Sequence, residues 1–215
     1  YHVFYRDGKL HRSDAAVIRT LKEGLKSPQE GTRIFKGDAQ NVAWVSDLHL
    51  DATGNPYLAY SVQKNSGGKP NREHGDDHRY RYARWDAAAK RWLDYEIAYA
   101  GHKLYPGEDD YTGNIALDPN DPSQVVISTN ADPKSGKPLV STADGQRHWE
   151  LYQGVTADGG KTWKWTALTK DSAQDNIRPM IPDWKSRQRA VLWLRGKMRS
   201  YTDYSFEVVA RVEGR

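Results

Sequence analysis

The sequence predicts an all-β chain assembled from repeated four-stranded antiparallel units, on three observations. Short alternating runs closed by turn residues recur along the chain, whereas helical periodicity is scarce. Three segments share one strand–turn–strand layout at a spacing of roughly 65 residues. Tyr and Trp, residues at home on a pleated and half-wet surface, number 13 and 8 against 3 Phe. A unit of four antiparallel strands repeated in this way is the blade of a β-propeller.

Taken in order, Tyr1-His2-Val3-Phe4-Tyr5 reads as the middle of a strand and not as a leader peptide, so the sequence is expected to begin inside a longer protein. Asp7-Gly8 marks a turn. The one stretch with helix-like spacing is Ser13–Leu25, through Ala16, Val17, Ile18, Leu21 and Leu25, and a helix is expected there although Gly24 and Pro28 weaken it. Three repeat starts follow at Trp44–Asp51, Tyr111–Asp118 and Asn176–Asp183, each leading through a turn to a strand: Tyr57–Val62, Val125–Thr129 and Ala190–Arg195. Further hairpins, Tyr80–Trp85 with Trp92–Ile97 and Trp149–Tyr152 with Thr162–Ala167, complete two units of four strands. The units fall at 41–105 and 106–170, with two strands' worth of sequence at 1–40 and again at 171–215. A split blade closing a ring has that layout, yet three blades are fewer than the usual range of about four to eight, so the chain is expected to be part of a larger propeller.

Composition excludes several function classes. With no cysteine, a disulfide scaffold, a cysteine nucleophile, an iron–sulfur site and a thiolate zinc site are all ruled out. No apolar run is long enough to cross a bilayer, so no membrane partner is expected. The 32 Lys+Arg against 28 Asp+Glu leave a net charge of +4 spread through mixed-sign segments. A basic pI near 9.1 invites nucleic acid, but without a Lys/Arg block this reads as an ordinary solvated surface, and no nucleic-acid partner is expected.

Thr156-Ala157-Asp158-Gly159-Gly160-Lys161-Thr162-Trp163 is the sharpest motif. Its carboxylate can accept hydrogen bonds from the turn's own amides, its glycines permit positive φ, and its Trp can tuck beneath the turn. The pattern resembles the Asp box of sialidase-type (BNR) repeats, and Trp85-Asp86 with Trp92 resembles a decayed copy without the glycines. Tyr5–Leu10, Arg81–Asp86 and Arg195–Tyr204 look similar to BNR-type propellers that include ulvan lyases and related uronate-directed lyases. The resemblance implies a seven-bladed propeller, a secreted or periplasmic location, and cleavage of an acidic, ulvan-like polysaccharide by β-elimination. It further implies Tyr and His as acid and base, Arg or His neutralising the carboxylate, no cofactor for the chemistry itself, and often a structural calcium. The remaining blades would be supplied by further sequence.

Abstraction of the C5 proton of a uronate needs a cation on the adjacent carboxylate and a positioned Tyr or His. The unit at 41–105 supplies such residues: Tyr60 on its second strand, His74, His78, Arg79 and Arg81 around the start of its third, and His49 on its first. The resemblance places the catalytic Tyr at Tyr60 and the neutraliser at Arg79 or Arg81, with His49 and His78 as further acid–base candidates. His74, Arg178 and Arg195 are candidate substrate-binding residues, since Arg suits bidentate carboxylate recognition. Each has a plainer reading beside it: Tyr60 as strand packing, the Arg72–Arg79 loop as a solvated face, and His49 with Asp47 as a simple strand pair. Glu108-Asp109-Asp110 is the candidate calcium ligand run, although it lacks the ligand spacing of a calcium loop. Two other functions fit the same residues: a sialidase-like hydrolase with Tyr201 or Tyr204 paired to Glu207, and a non-catalytic sugar-binding propeller.

Overall fold

Every strand of the structure, a computed structural model describing residues 1–70, 73–184 and 188–214, pairs antiparallel with its neighbours in its own sheet. The first sheet holds β1 (Phe4–Arg6), β2 (Lys9–His11) and β3 (Val17–Thr20). The second holds β4 (Val42–Leu50), β5 (Pro56–Gln63), β6 (His78–Asp86) and β7 (Arg91–Gly101). The third is β8 (Ile115–Asp118), β9 (Asp121–Thr129), β10 (Glu150–Val155) and β11 (Lys164–Ala167). The fourth is β12 (Asp175–Met180), β13 (Gln188–Met198) and β14 (Tyr204–Gly214). Strand order in each sheet follows the chain, so the protein is all-β: four antiparallel sheets of three or four strands.

The expected helix over Ser13–Leu25 is absent; β3 occupies its centre, with Leu10 opposite Arg19. The apolar residues that suggested it bury no common face, for Val17, Leu21 and Leu25 are 56%, 55% and 41% exposed. Ala15 (φ 67°) and Gly24 (φ 65°) both lie in the left-handed region, which breaks a right-handed helix at either end. The Asp7-Gly8 turn is as expected. Both residues have positive φ, 49° and 76°, the geometry that matches the twist of a two-residue hairpin.

The third sheet is buried on both faces. Ile115, Leu117, Val125 and Ile127 pack against Tyr57, Ala59, Tyr80 and Tyr82 of the second sheet, while Ala116, Val126 and Leu151 pack against Ile181, Val191 and Trp193. That explains why β8 and the end of β9 read as continuous apolar runs and not as alternating ones. The tyrosines are inter-sheet rivets. The hydroxyls of Tyr57, Tyr80 and Tyr82 donate to the backbone oxygens of Asp118, Ser128 and Pro122 at 2.6, 2.7 and 2.8 Å, which satisfies each buried phenol.

The Asp158 turn forms as its sequence predicts. The carboxylate accepts from Thr162 N at 2.8 Å, Thr162 Oγ1 at 2.6 Å and Thr156 Oγ1 at 2.9 Å. Those bonds hold its pKa down at about 2. Trp163 donates to Gly160 O at 2.8 Å and meets the Tyr82 ring edge-on at 5.4 Å. Trp85 and Trp92 keep a T-shaped contact at 5.9 Å, while Asp86 caps its own turn through the amides of Ala88 and Ala89.

The first strands of the last three sheets, β4, β8 and β12, run side by side in the same sense. Asp47 of β4 accepts from Leu117 N at 2.9 Å, and Arg178 N of β12 donates to Gly113 O just before β8 at 2.6 Å. The end at which these strands begin gathers the 64–77, 102–114, 130–149 and 199–203 connections, and the Asp158 turn lies at the other end. No helix among the described residues is long and apolar enough to cross a membrane.

Candidate functional site

The residues expected in the second sheet divide between its two faces. Tyr60 lies opposite Arg81 and Val45, and Arg79 opposite Val62, so Tyr60, Arg79 and Arg81 share one face. His49 lies opposite Tyr57 and His78 opposite Gln63, which puts both histidines on the other face. Along β5 those partners are six residues apart, which is about 20 Å of strand. The five side chains therefore do not converge on one point.

Most of their polar atoms are also engaged elsewhere. The Tyr60 hydroxyl donates to Asp94 Oδ1 at 2.8 Å and accepts from Arg81 Nε at 3.1 Å, while Arg81 Nη2 reaches Asp94 Oδ2 at 2.9 Å. Burial and the Asp94 charge push the Tyr60 phenol well above its ordinary pKa, which disfavours the phenolate a base would need. Arg79 bonds Asp77 at 2.6 Å and Glu96 at 2.8 Å and lies 3.7 Å over the Tyr99 ring. His78 is fully buried, and that burial pulls its pKa down to about 4. His49 Nε2 sits 3.2 Å from Asp47. His74 Nδ1 sits 3.4 Å from Asp109, whose other oxygen faces Lys103 at 3.4 Å. Arg195 bonds Glu207 at 2.7 Å on the exposed fourth sheet. Arg72, at the head of the predicted His/Asp/Arg loop, lies outside the described residues.

The carboxylate run 108–110 does not assemble as a calcium cage. Asp109 turns inward to His74 and Lys103, and among the described residues no group of three or more His, Asp or Glu side chains is placed to hold a metal.

A cleft of about 410 Å³ opens where β4, β8 and β12 begin. Trp44, Ser46 and Ser61 line one side, Tyr111 and Asn114 the middle, and Arg178 and Tyr201 the far side. Local backbone explains the placement. Asn114 (φ 83°) and Arg178 (φ 53°) both adopt the left-handed conformation, and β12 bulges between Ile177 and Met180. The bond from Arg178 N to Gly113 O pins this strained residue. Gly113 is obligatory: a Cβ there would meet Ser128 Oγ at 2.2 Å and Trp149 Cε3 at 2.5 Å.

Arg178 is exposed in this cleft and makes no ion pair with a carboxylate among the described residues. Around it run edge-on aromatic contacts: Trp44 to Tyr111 at 6.4 Å, Tyr111 to Tyr201 at 6.3 Å, and Tyr201 to Tyr105 at 5.7 Å. Burial, with Glu108 and the neighbouring phenols, pushes Tyr201 up to about 12, a shift that Arg178 opposes. Glu108 is itself raised, by burial and by the crowding of Asp110 and Asp109. The acidic neighbour of Tyr201 is thus Glu108 and not Glu207, which Arg195 holds. Tyr204 stacks on Phe206 at 6.0 Å.

Of the residues expected for the lyase site, only Arg178 enters the cleft; Tyr201, expected in the hydrolase reading, lines it as well. Trp44 and Tyr111 were not predicted for it, although each heads a repeat unit and such equivalent positions were the available signal. Comparison with protein-family models, with curated proteins and with solved structures finds no match for this chain.

Proposed function

We propose that the chain is a carbohydrate-active protein that takes an acidic, uronate-containing polysaccharide into the Arg178 cleft and cleaves it by β-elimination. The observation that carries this reading is a strained, exposed arginine with no carboxylate partner among the described residues, set among Trp44, Tyr111 and Tyr201. The guanidinium binds the uronate carboxylate in a bidentate fork, which withdraws charge from C5 and lowers the cost of removing its proton. The aromatic faces stack on the sugar rings. Tyr201, protonated at neutral pH, donates to the departing glycosidic oxygen and is reprotonated from solvent, while solvent in the cleft takes up the C5 proton. The C4–O bond breaks as the C4=C5 bond forms. Secretion and a uronate polysaccharide of the ulvan kind belong to the same reading.

The fold reading that goes with it is a β-propeller whose blades are these sheets. Its support is the chain-order meander in each sheet, the adjacent first strands, and apolar side chains exposed on the first strand of the second sheet and on the fourth sheet. On the second sheet Val45, Leu48 and Leu50 are 73%, 45% and 57% exposed. On the fourth, Met180, Val208 and Val212 are 55%, 70% and 51% exposed. Further blades supplied by additional sequence would cover both.

One observation favours a second reading. A phenol as high as Tyr201 and a cleft without histidine suit binding without turnover, as in a sugar-binding propeller. Absorbance at the unsaturated-uronate band, read beside a binding isotherm on the same polysaccharides, separates the two. Binding with rising absorbance supports the lyase, and binding with a flat trace supports the lectin. Absence of binding by folded protein to every uronate polymer would sink both.

A further inference from the structure

Arg147 lies just before β10 in the 130–149 connection, at the same end of the sheets as the Arg178 cleft. Its side chain is half-buried, and its Nε donates to Asn130 O at 2.6 Å. Among the described residues no carboxylate pairs with it, and its two terminal nitrogens have no hydrogen-bond partner. Burial lowers its pKa, and no nearby anion offsets that cost. Arg79, Arg81 and Arg189 differ, for each has its carboxylate.

A second basic group is tied to the same asparagine. His102 follows β7; its backbone N donates to Asn130 Oδ1 at 3.2 Å, and its Nδ1 lies 3.3 Å from Lys103 O and 3.4 Å from Asn130 Nδ2. Its Nε2 has no hydrogen-bond partner among the described residues. Asn130 is buried, and Gly101 (φ 86°) makes its closure possible, because a Cβ there would collide with Asn130 Oδ1. Burial lowers the His102 pKa, and the Arg147 charge lowers it further. Of the other charged groups that face His102, Asp76 opposes that shift and Lys103 adds to it, and these two lie 3.9 Å apart in a pair of their own. An anion bound here would relieve the repulsion between guanidinium and imidazole and take the parallel donors of the arginine fork.

We propose that Arg147 and His102, held together by Asn130, form a second anion-binding site, which takes a carboxylate or sulfate group of the same acidic sugar chain that Arg178 binds. The two arginines are linked by a short backbone path. Trp149, two residues on from Arg147, accepts from Asn176 N at 2.9 Å, and Asn176 is two residues before Arg178. That bounds the separation of their Cα atoms at about 20 Å, within reach of one oligosaccharide lying across the loops. The sugar chain as carrier of the anion rests on the function proposed above, whereas the anion site does not.

Nuclear magnetic resonance and calorimetry on the folded chain test this. Inorganic sulfate is expected to shift the Asn130 and His102 signals of the wild type and to leave them unmoved in Arg147→Ala. Two uronate oligosaccharides are compared, one bearing a second carboxylate and one a sulfate ester. At least one is expected to bind Arg147→Ala about tenfold more weakly than the wild type, and the larger loss names the group the site takes. Arg147→Lys, which keeps the charge and loses the fork, falls between the two proteins. A uronate with a single acidic group keeps its affinity in Arg147→Ala and loses it in Arg178→Ala. Unchanged affinity of both two-charge oligosaccharides for Arg147→Ala overturns the proposal. Should neither bind the wild type, the polysaccharide reading fails and the sulfate titration alone decides the site. Shifts abolished in Arg147→Ala then uphold it, and no shift, or the same shift in both proteins, overturns it.

Discussion

Arginines on the second and fourth sheets show how context decides what a residue type does. On β6, Arg79 and Arg81 are each held by carboxylates, Asp77 and Glu96 for one and Asp94 for the other, with Tyr60 closing the network. On β12, Arg178 has the same chemistry and no such partner among the described residues, and a bulge with a left-handed residue turns it into a cleft. A guanidinium already bonded to protein carboxylates gains little from a substrate carboxylate, because the exchange trades one ion pair for another. The difference is one of partnering, and it separates structural cations from a ligand-binding one.

That comparison can be sharpened from its paired extreme. Arg189 and Asp118 are fully buried and bonded at 2.8 Å. Arg189→Ala takes the cation from a buried carboxylate and is expected to cost about 3–5 kcal/mol of stability. Urea unfolding gives the number, and a cost below about 1 kcal/mol would place this pair with weak surface contacts. Arg81→Ala breaks a half-buried pair and is expected to cost about 1–3 kcal/mol while leaving sugar binding by the folded protein intact. Loss of binding without loss of stability would return the site to the second sheet.

In the cleft, Tyr111→Ala removes a stacking face and is expected to weaken binding of a uronate oligosaccharide by about threefold to tenfold, with the melting temperature almost unchanged. The smallest effect concerns His148, clamped between Asp144 at 2.9 Å and Asp175 at 3.1 Å beside the start of β12. Burial works against its charge, but the hydrogen bonds to the two carboxylates outweigh it, so its pKa lies above 6.5. A folded-state pKa above the unfolded value gives stability that is full below pH 6.5 and is lost as pH rises through the folded value. His148→Gln should flatten that alkaline decline in a stability–pH profile; an unchanged slope would assign the decline to other groups. His78 works in the opposite sense: with its pKa near 4, stability falls as pH drops below 6.5 and the loss is complete below about pH 4.

Much of the fold was legible because it is local. Alternation placed β5 and β6, the short apolar run Val125–Ile127 placed β9, turn chemistry placed the hairpins, and the Asp158 motif closed on itself as written. The Ser13–Leu25 stretch misled because its apolar residues fit helical spacing, whereas short-range backbone breaks at Ala15 and Gly24 decide the outcome. The site was less legible for a physical reason. Asp94, which binds Tyr60, is 34 residues away in sequence, and no local pattern announces such a partner. Arg178 was recognisable as a carboxylate binder by type, but its freedom from ion pairing and its nearness to Trp44 and Tyr111 arise only when three first strands come together.

The most direct test is calorimetric titration of a uronate oligosaccharide into the wild-type chain, Arg178→Ala and Arg81→Ala, each verified as folded. The account predicts that Arg178→Ala weakens binding by about tenfold to hundredfold, the loss of a charge-assisted pair, while Arg81→Ala binds as the wild type does. Wild-type affinity in Arg178→Ala would contradict it.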